Sequence, residues 1–272
     1  MEFKEIIVHV DDSNNCAARI AMASDLAVIH DARLIGVYYR HGLRFPTSRE
    51  IENGTGLLEA QQNLSNELEA AAQSAFSSSV ENKRIASEWR ACDLSDNSAL
   101  IMHARYVDLV VIEGGFRPKT GTDKIFSADG VVIEAGRPVL LLPPQGRQTR
   151  IGRHILVAWN ASREAARALN DALPLLKRAD SVRVISLETG HIKPDMVGVL
   201  THLSRHRVKA ITQSVRDNDG EPGEVLLGQA RNHDIDLIVM GAYGHARLRE
   251  ISFGGTTAYM LKHSTIPMFM SH

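Results

Sequence analysis

Four glycines, Gly241, Gly244, Gly254 and Gly255, stand in the run GAYGHARLREISFGGTT, directly after the apolar segment DLIVM. Glycine permits close backbone approach and positive φ, so this spacing can lay bare main chain against a ligand. The run TTAYMLKH then reads as a helix opening at Thr256, and free N–H groups at a helix start attract anions. The chemistry would be that of a phosphate cradle. One helix end contributes only about 0.3–1 kcal/mol, up to about 2 when partly buried, whereas a micromolar ligand needs about 8 kcal/mol. Several donors and a second pocket are therefore required. Asn160, ending the earlier apolar run RHILVAWN, offers an oxygen that can accept from an exocyclic amine and an NH₂ that can donate to a ring nitrogen. The same residues also fit a plain structural reading, in which the glycines turn the chain and Asn160 starts a turn. The stretch matches neither the P-loop nor GxGxxG.

Other chemistry finds less support. The 12 histidines form no HExxH pair and no Cys/His cluster at ligand spacing. His202 and His206 are four apart on a helical segment, a spacing that also suits a solvated face. His245, Arg247 and Arg249 follow Gly244 and can reach a phosphate, although exposure to solvent is the common fate of such residues. There is no GxSxG elbow, and Glu188 is the nearest acid to serve a hydrolytic water. No catalytic residue is assigned, and no metal ligand.

The elements that must position these groups occur twice. KEIIVHVDDS at 4–13 and RHILVAWNAS at 153–162 share one plan, ending in Asp11 and Asn160. ARYVDLVVIEGG at 104–115 matches RNHDIDLIVMGA at 231–242, with Asp108 and Asp236 just before the apolar runs. GRPVLLLPP at 136–144 parallels TIPMFMSH at 265–272, each with a proline opening a terminal strand. Helical spacing of apolar residues predicts helices over 14–30, 57–76 and 163–178, the last kinked or restarted at Pro174, with Ser13 and Ser162 as N-caps. ARLIGVYY and SVRVISLE read as second strands. Each half thus alternates β and α, and the fold class is α/β: two tandem doubly wound parallel sheets, Rossmann-like, with ligands outside the carboxyl ends of the strands. The boundaries are residues 1–145 and 152–272, joined through PPQGRQTRIG at 143–152. A loop or lid, residues 41–56, occurs only in the first half.

The chain has 272 residues, 31 Lys and Arg against 32 Asp and Glu, and a formal net charge of -1, so no general field draws it to nucleic acid or membrane. Two cysteines, Cys16 and Cys92, suit reduced thiols. With no signal-like N-terminus and no run of eighteen apolar residues, the expectation is a soluble cytoplasmic protein.

The sequence resembles the universal stress protein family over nearly the whole chain, as two tandem copies of the fold; ATP-binding members of that family carry Gly-x2-Gly-x9-Gly-[Ser/Thr] after the fourth strand. Gly241, Gly244 and Gly254 fit, while Gly255 stands in the place of the hydroxyl residue and Thr256 follows. In the family an aspartate ending the first strand binds adenine; here that place holds Asn160. The resemblance implies that Asn160, Ala158 and Leu187 hold adenine, and that Met240, Gly241, Tyr243, Gly244, Gly254, Gly255 and Thr256 hold ribose and phosphates. The cofactor implied is ATP, with Mg²⁺ carried in by the phosphates. In the first half Glu113 and Phe116 replace Gly241 and Gly244, and Ile125 and Phe126 face Gly254 and Gly255, so its nucleotide motif is degenerate. The function implied is a stress-response sensor or regulator with weak ATP hydrolysis at most. A homodimer and a regulatory protein partner of unknown identity belong to the same reading. The rivals are a nucleotide-free scaffold and an adenylyl-transferring α/β enzyme, though the latter's SGGxDS and HxGH motifs are absent from VDDSNN and WNASRE.

Overall fold

The structure is a computed structural model that describes residues 2–40, 56–92, 98–115, 127–144, 150–188, 194–216, 221–244 and 255–272. Gly254, His245, Arg247, Arg249, Phe116, Ile125 and Phe126 lie outside the described residues, as do most of the 41–56 loop and the middle of the linker.

The first half runs β1 (Glu5–Val10), α1 (Cys16–His30), β2 (Arg33–Tyr39), α2 (Gly56–Lys83), β3 (Ser87–Cys92), α3 (Ser98–Ala104), β4 (Leu109–Glu113), α4 (Ala128–Glu134) and β5 (Val139–Leu142). The second runs β6 (His154–Ala158), α5 (Arg163–Asp171), α6 (Leu173–Leu176), β7 (Ser181–Glu188), α7 (Met196–Arg205), β8 (Ala210–Arg216), α8 (Pro222–Asn232), β9 (Leu237–Gly241), α9 (Thr256–His263) and β10 (Met268–Ser271). All strands join one sheet in the order β3-β2-β1-β4-β5-β10-β9-β6-β7-β8. Within each half neighbours are parallel. At the centre β5 and β10 are antiparallel, with Leu140 opposite Phe269. The terminal strands of the two halves therefore cover each other, and the carboxyl ends of the two parallel sets open on opposite edges of the sheet.

The inner strands are largely apolar because both faces are covered, as parallel sheets require, whereas the edge strands β3 (SEWRAC) and β8 (AITQSVR) are mixed. In β1, Ile6, Val8 and Val10 enter one core while Ile7 enters the other, following the alternation of side chains along a strand. The first core is roofed by α1, α2, α5, α6 and α7, the second by α3, α4, α8 and α9. Both cores run across the seam: Leu140 and Phe269 share the first, and Leu141 and Met268 the second. Arg167 of α5 adds polar ties there, donating to the His272 carbonyl at 2.7 Å and the Gly136 carbonyl at 2.5 Å.

Helix limits depart from the sequence reading at two places. α2 continues to Lys83 because Phe76 and Val80 keep the apolar stripe in the core. Ser13 does not cap α1; its hydroxyl donates to Asp11 at 2.5 Å, and the helix starts at Cys16 after Asn15, which makes no side-chain cap. Ser162 does cap α5, accepting from the Ala165 N–H at 3.1 Å. The expected break near Pro174 is a restart: α5 ends at Asp171, and α6 opens with Pro174 in its first turn, where its missing N–H does no harm. Among the described residues, no helix is long and apolar enough to cross a membrane.

The paired aspartates that mark the repeat have one structural task. Asp108, before β4, accepts from the backbone N–H groups of Lys4 (2.7 Å) and Glu5 (3.1 Å) at the start of β1. Asp236, before β9, accepts from Gly152 (2.9 Å), Arg153 (3.0 Å) and His154 (3.1 Å) at the start of β6. Charge-assisted bonds of this kind contribute about 1.5–3 kcal/mol when one side is removed. Asp236→Ala is expected to lower unfolding stability by about 2–3 kcal/mol, read as a shift in the urea midpoint, and Asp236→Asn by less.

Candidate functional site

The candidate site lies where β6 and β9 end side by side, Ala158 being in register with Met240. The helix after β6 covers one face of the sheet and α9, after β9, covers the other. The chain thus diverges between these two strands, the place where open α/β sheets leave a crevice.

Beyond β6 the chain turns through Asn160 and Ala161, the latter at φ 57°. Asn160 Oδ1 accepts from the Ser162 N–H at 3.1 Å, and the turn hands over to the Ser162 cap of α5. The first half repeats the motif: Asp11 Oδ1 accepts from the Ser13 N–H at 3.0 Å. Asn160 remains exposed, with its amide NH₂ and a second oxygen lone pair at the sheet edge.

Beyond β9, which includes Gly241, Tyr243 sits at φ 56° and its N–H donates to Thr257 Oγ1 at 3.3 Å. This bond ties the loop to the first turn of α9. Gly255, at φ 102°, precedes that helix without a side chain to cap it. Gly244 and Gly255 are both exposed.

Gly241 and Gly244 are bare for different reasons. A Cβ on Gly241 would come within 2.5 Å of Ala165 N and Glu164 C, so this glycine lets β9 pack against the first turn of α5. The structural reading of that residue is the one its surroundings explain. A Cβ on Gly244 would instead meet only side chains, Glu164 Oε2 at 2.8 Å and Ser162 Oγ at 3.5 Å. Gly244 itself is exposed.

Glu164 is the residue that sequence reasoning missed. It lies in the first turn of α5 and is 6% exposed, and its Oε1 accepts from Arg163 Nε at 3.0 Å and Nη2 at 2.9 Å. Burial pushes its carboxyl upward, but its own backbone N–H and Arg163 outweigh that and hold the pKa below the ordinary value. An acid in a first helical turn is common, so nothing in the sequence set it apart from a helix start.

The remaining residues assigned by resemblance spread along the same edge. Ala158, Leu187 and Tyr243 are half-buried against the second core, Leu187 near the end of β7 on the far side of β6. Met240 is 4% exposed, so its side chain is core and only its main chain faces the edge. Thr256 is half-buried at the start of α9. The Tyr243 hydroxyl is buried without a hydrogen-bond partner among the described residues, and burial raises its pKa. Among the described residues no three His, Cys, Asp or Glu side chains group for a metal.

The equivalent place in the first half is filled by charge. Arg19, 1% exposed, donates to Asp11 at 2.6 Å, to Glu113 at 3.4 Å and to the His9 carbonyl at 2.7 Å. Burial pushes the Asp11 carboxyl up, while Arg19, His9 and the Ser13 hydroxyl bring it below its ordinary value. At the positions of Asp11, Arg19 and Glu113 the second half carries Asn160, Ala168 and Gly241. A cavity of about 30 Å³ beside Arg19, Glu113, Pro143 and Pro267 has room for ordered water.

Comparisons with known proteins agree with this architecture. The sequence profile of the universal stress protein family matches residues 152–272. A universal stress protein of Synechocystis is 39% identical over 49 residues, 18% of this chain; the match spans only 17% of that protein's length. A universal stress protein from Archaeoglobus fulgidus superposes with a TM-score of 0.72 at 16% identity, over 98% of this chain and 95% of that one. A putative universal stress protein from Pseudomonas aeruginosa gives a TM-score of 0.55 at 16% identity, over 99% and 93%. At these identities the superpositions establish the fold.

Two outcomes follow from the contrast between sites. Gly241→Ala is expected to cost about 2–3 kcal/mol through backbone overlap, whereas Gly244→Ala stays within about 1 kcal/mol of wild type; denaturant unfolding of both variants checks this. Arg19→Ala is expected to cost about 2–4 kcal/mol by removing the buried guanidinium that lies between two half-buried acids. The triple change Asp11→Asn, Arg19→Ala and Glu113→Gly, which installs the residues of the second half, is expected to cost less than Arg19→Ala alone.

Proposed function

We propose that the chain, whose residues 152–272 match the sequence profile of the universal stress protein family, binds one ATP, in the crevice between β6 and β9. The single observation that carries this reading is the exposed, uncharged main chain of Gly244 and Gly255 beside Asn160. The corresponding place in the first half is filled by the Arg19 ion pairs. Residues 1–145 and 152–272 then act as a closed unit and a binding unit. Asn160, Ala158 and Leu187 hold adenine, the amide exchanging hydrogen bonds with its Watson–Crick edge. Met240, Gly241 and Tyr243 line the ribose, while Gly244, Gly254, Gly255 and Thr256 supply phosphate donors.

Magnesium would be held mainly by the phosphates, as such sites do. Among the described residues Glu164 is a carboxylate beside Gly244, a hard oxygen donor of the type Mg²⁺ takes. With no positioned base assigned, occupancy rather than turnover is the output, and the protein works as a cytoplasmic sensor or regulator in the stress response. Dimerisation and the regulatory partner belong to this proposal.

One observation favours a second reading, an interaction scaffold without nucleotide: Gly241 is explained by packing, and an ionised acid adjoins Gly244. Titration of the full chain with a fluorescent ATP analogue in Mg²⁺ separates the two. Saturable binding of one equivalent, weakened at least about tenfold in a folded Gly244→Val variant, supports the ATP reading. No binding, and no rise in Tm with Mg-ATP, leaves the scaffold.

A further inference from the structure

The acid beside the cradle bears on what form of nucleotide the site accepts, a question that rests on the reading just given. Glu164 is held at its backbone and at one carboxylate oxygen. Its backbone lies under Gly241, whose missing Cβ leaves only enough room for it. Its Oε1 is taken by Arg163, and its Oε2 is the atom nearest to the place of a Gly244 Cβ, at 2.8 Å. The residue as a whole is 6% exposed. Arg163, by contrast, has a side chain 83% exposed, and water screens its compensation.

A phosphate approaching the Gly244 main chain therefore meets a fixed negative charge within a few ångströms. At that range two like charges repel appreciably even in a partly wet site. A divalent cation that bridges a carboxylate and phosphate oxygens turns this repulsion into attraction, and Mg²⁺ is commonly held by one carboxylate plus substrate phosphates. Adenosine carries no charge and is indifferent to both effects. We infer that Glu164 is a specificity-determining residue that admits polyphosphate nucleotide only as its divalent-cation complex.

The test is calorimetric titration of the full chain with ATP, AMP and adenosine, each in Mg²⁺ and in EDTA, for wild type, Glu164→Gln and Arg163→Ala. Wild type is expected to bind ATP at least about tenfold more weakly in EDTA than in Mg²⁺, while adenosine affinity stays the same in both. Glu164→Gln keeps the helix start and is expected to shrink the ATP gap below about threefold; Arg163→Ala is expected to widen it. If adenosine and Mg-ATP bind but the gap is equal in wild type and Glu164→Gln, the role of Glu164 is overturned while the nucleotide site stands. If neither adenosine nor ATP binds any variant, the nucleotide reading fails and this inference falls with it.

Discussion

The antiparallel pairing of β5 with β10 is the constraint from which the rest of the molecule follows. Each half ends in a short apolar strand, VLLL or MFMS, that would be an open, hydrogen-bonding edge if the half stood alone. Placing the two against each other closes both edges and makes one ten-stranded sheet. It also fixes the opposed directions of the parallel sets. The carboxyl-end edge of each half consequently adjoins the region where the other half begins its last strand: Pro267 stands near Arg19 and Glu113, and Gly136 receives Arg167 from α5.

Within that frame the halves have diverged by exchanging matched sets of residues. In the first, two acids at the sheet edge are tolerable because a buried guanidinium lies between them. A buried charge left without its partner is expensive, so the three residues stand or fall together. In the second, an amide, a methyl group and a hydrogen atom occupy the same places. Those three places are neutral, and Glu164 is an acid on the α5 side of the crevice. One fold thus carries two opposite electrostatic solutions, and the difference between them is concentrated in four or five side chains.

Most of the fold was legible in the sequence because it is written in periodic apolar runs that repeat. The landmarks Asp108 and Asp236 were visible as a pair, though their task, tying β4 to β1 and β9 to β6, needed coordinates. The cap at Ser162 was legible, while the identical hydroxyl at Ser13 was not, because Asp11 there captures it and Arg19 reshapes the turn. Of the candidate site, Asn160, Gly244 and Gly255 were readable from type and spacing. Gly241 was ambiguous: sequence cannot tell a glycine bare for a ligand from one bare for a neighbouring helix, and the contacts with Ala165 and Glu164 show that the helix by itself already requires it. Glu164 was invisible because an acid in a first helical turn is ordinary, and only its place beside Gly244 gives it meaning.

Covalent linkage of the halves changes how the seam responds to protein level. Two separate copies meeting through such strands would join or part according to their abundance. Joined in one chain, the partners face each other at an effective concentration on the order of millimolar. The seam is then as intact in a sparse population of molecules as in a crowded one.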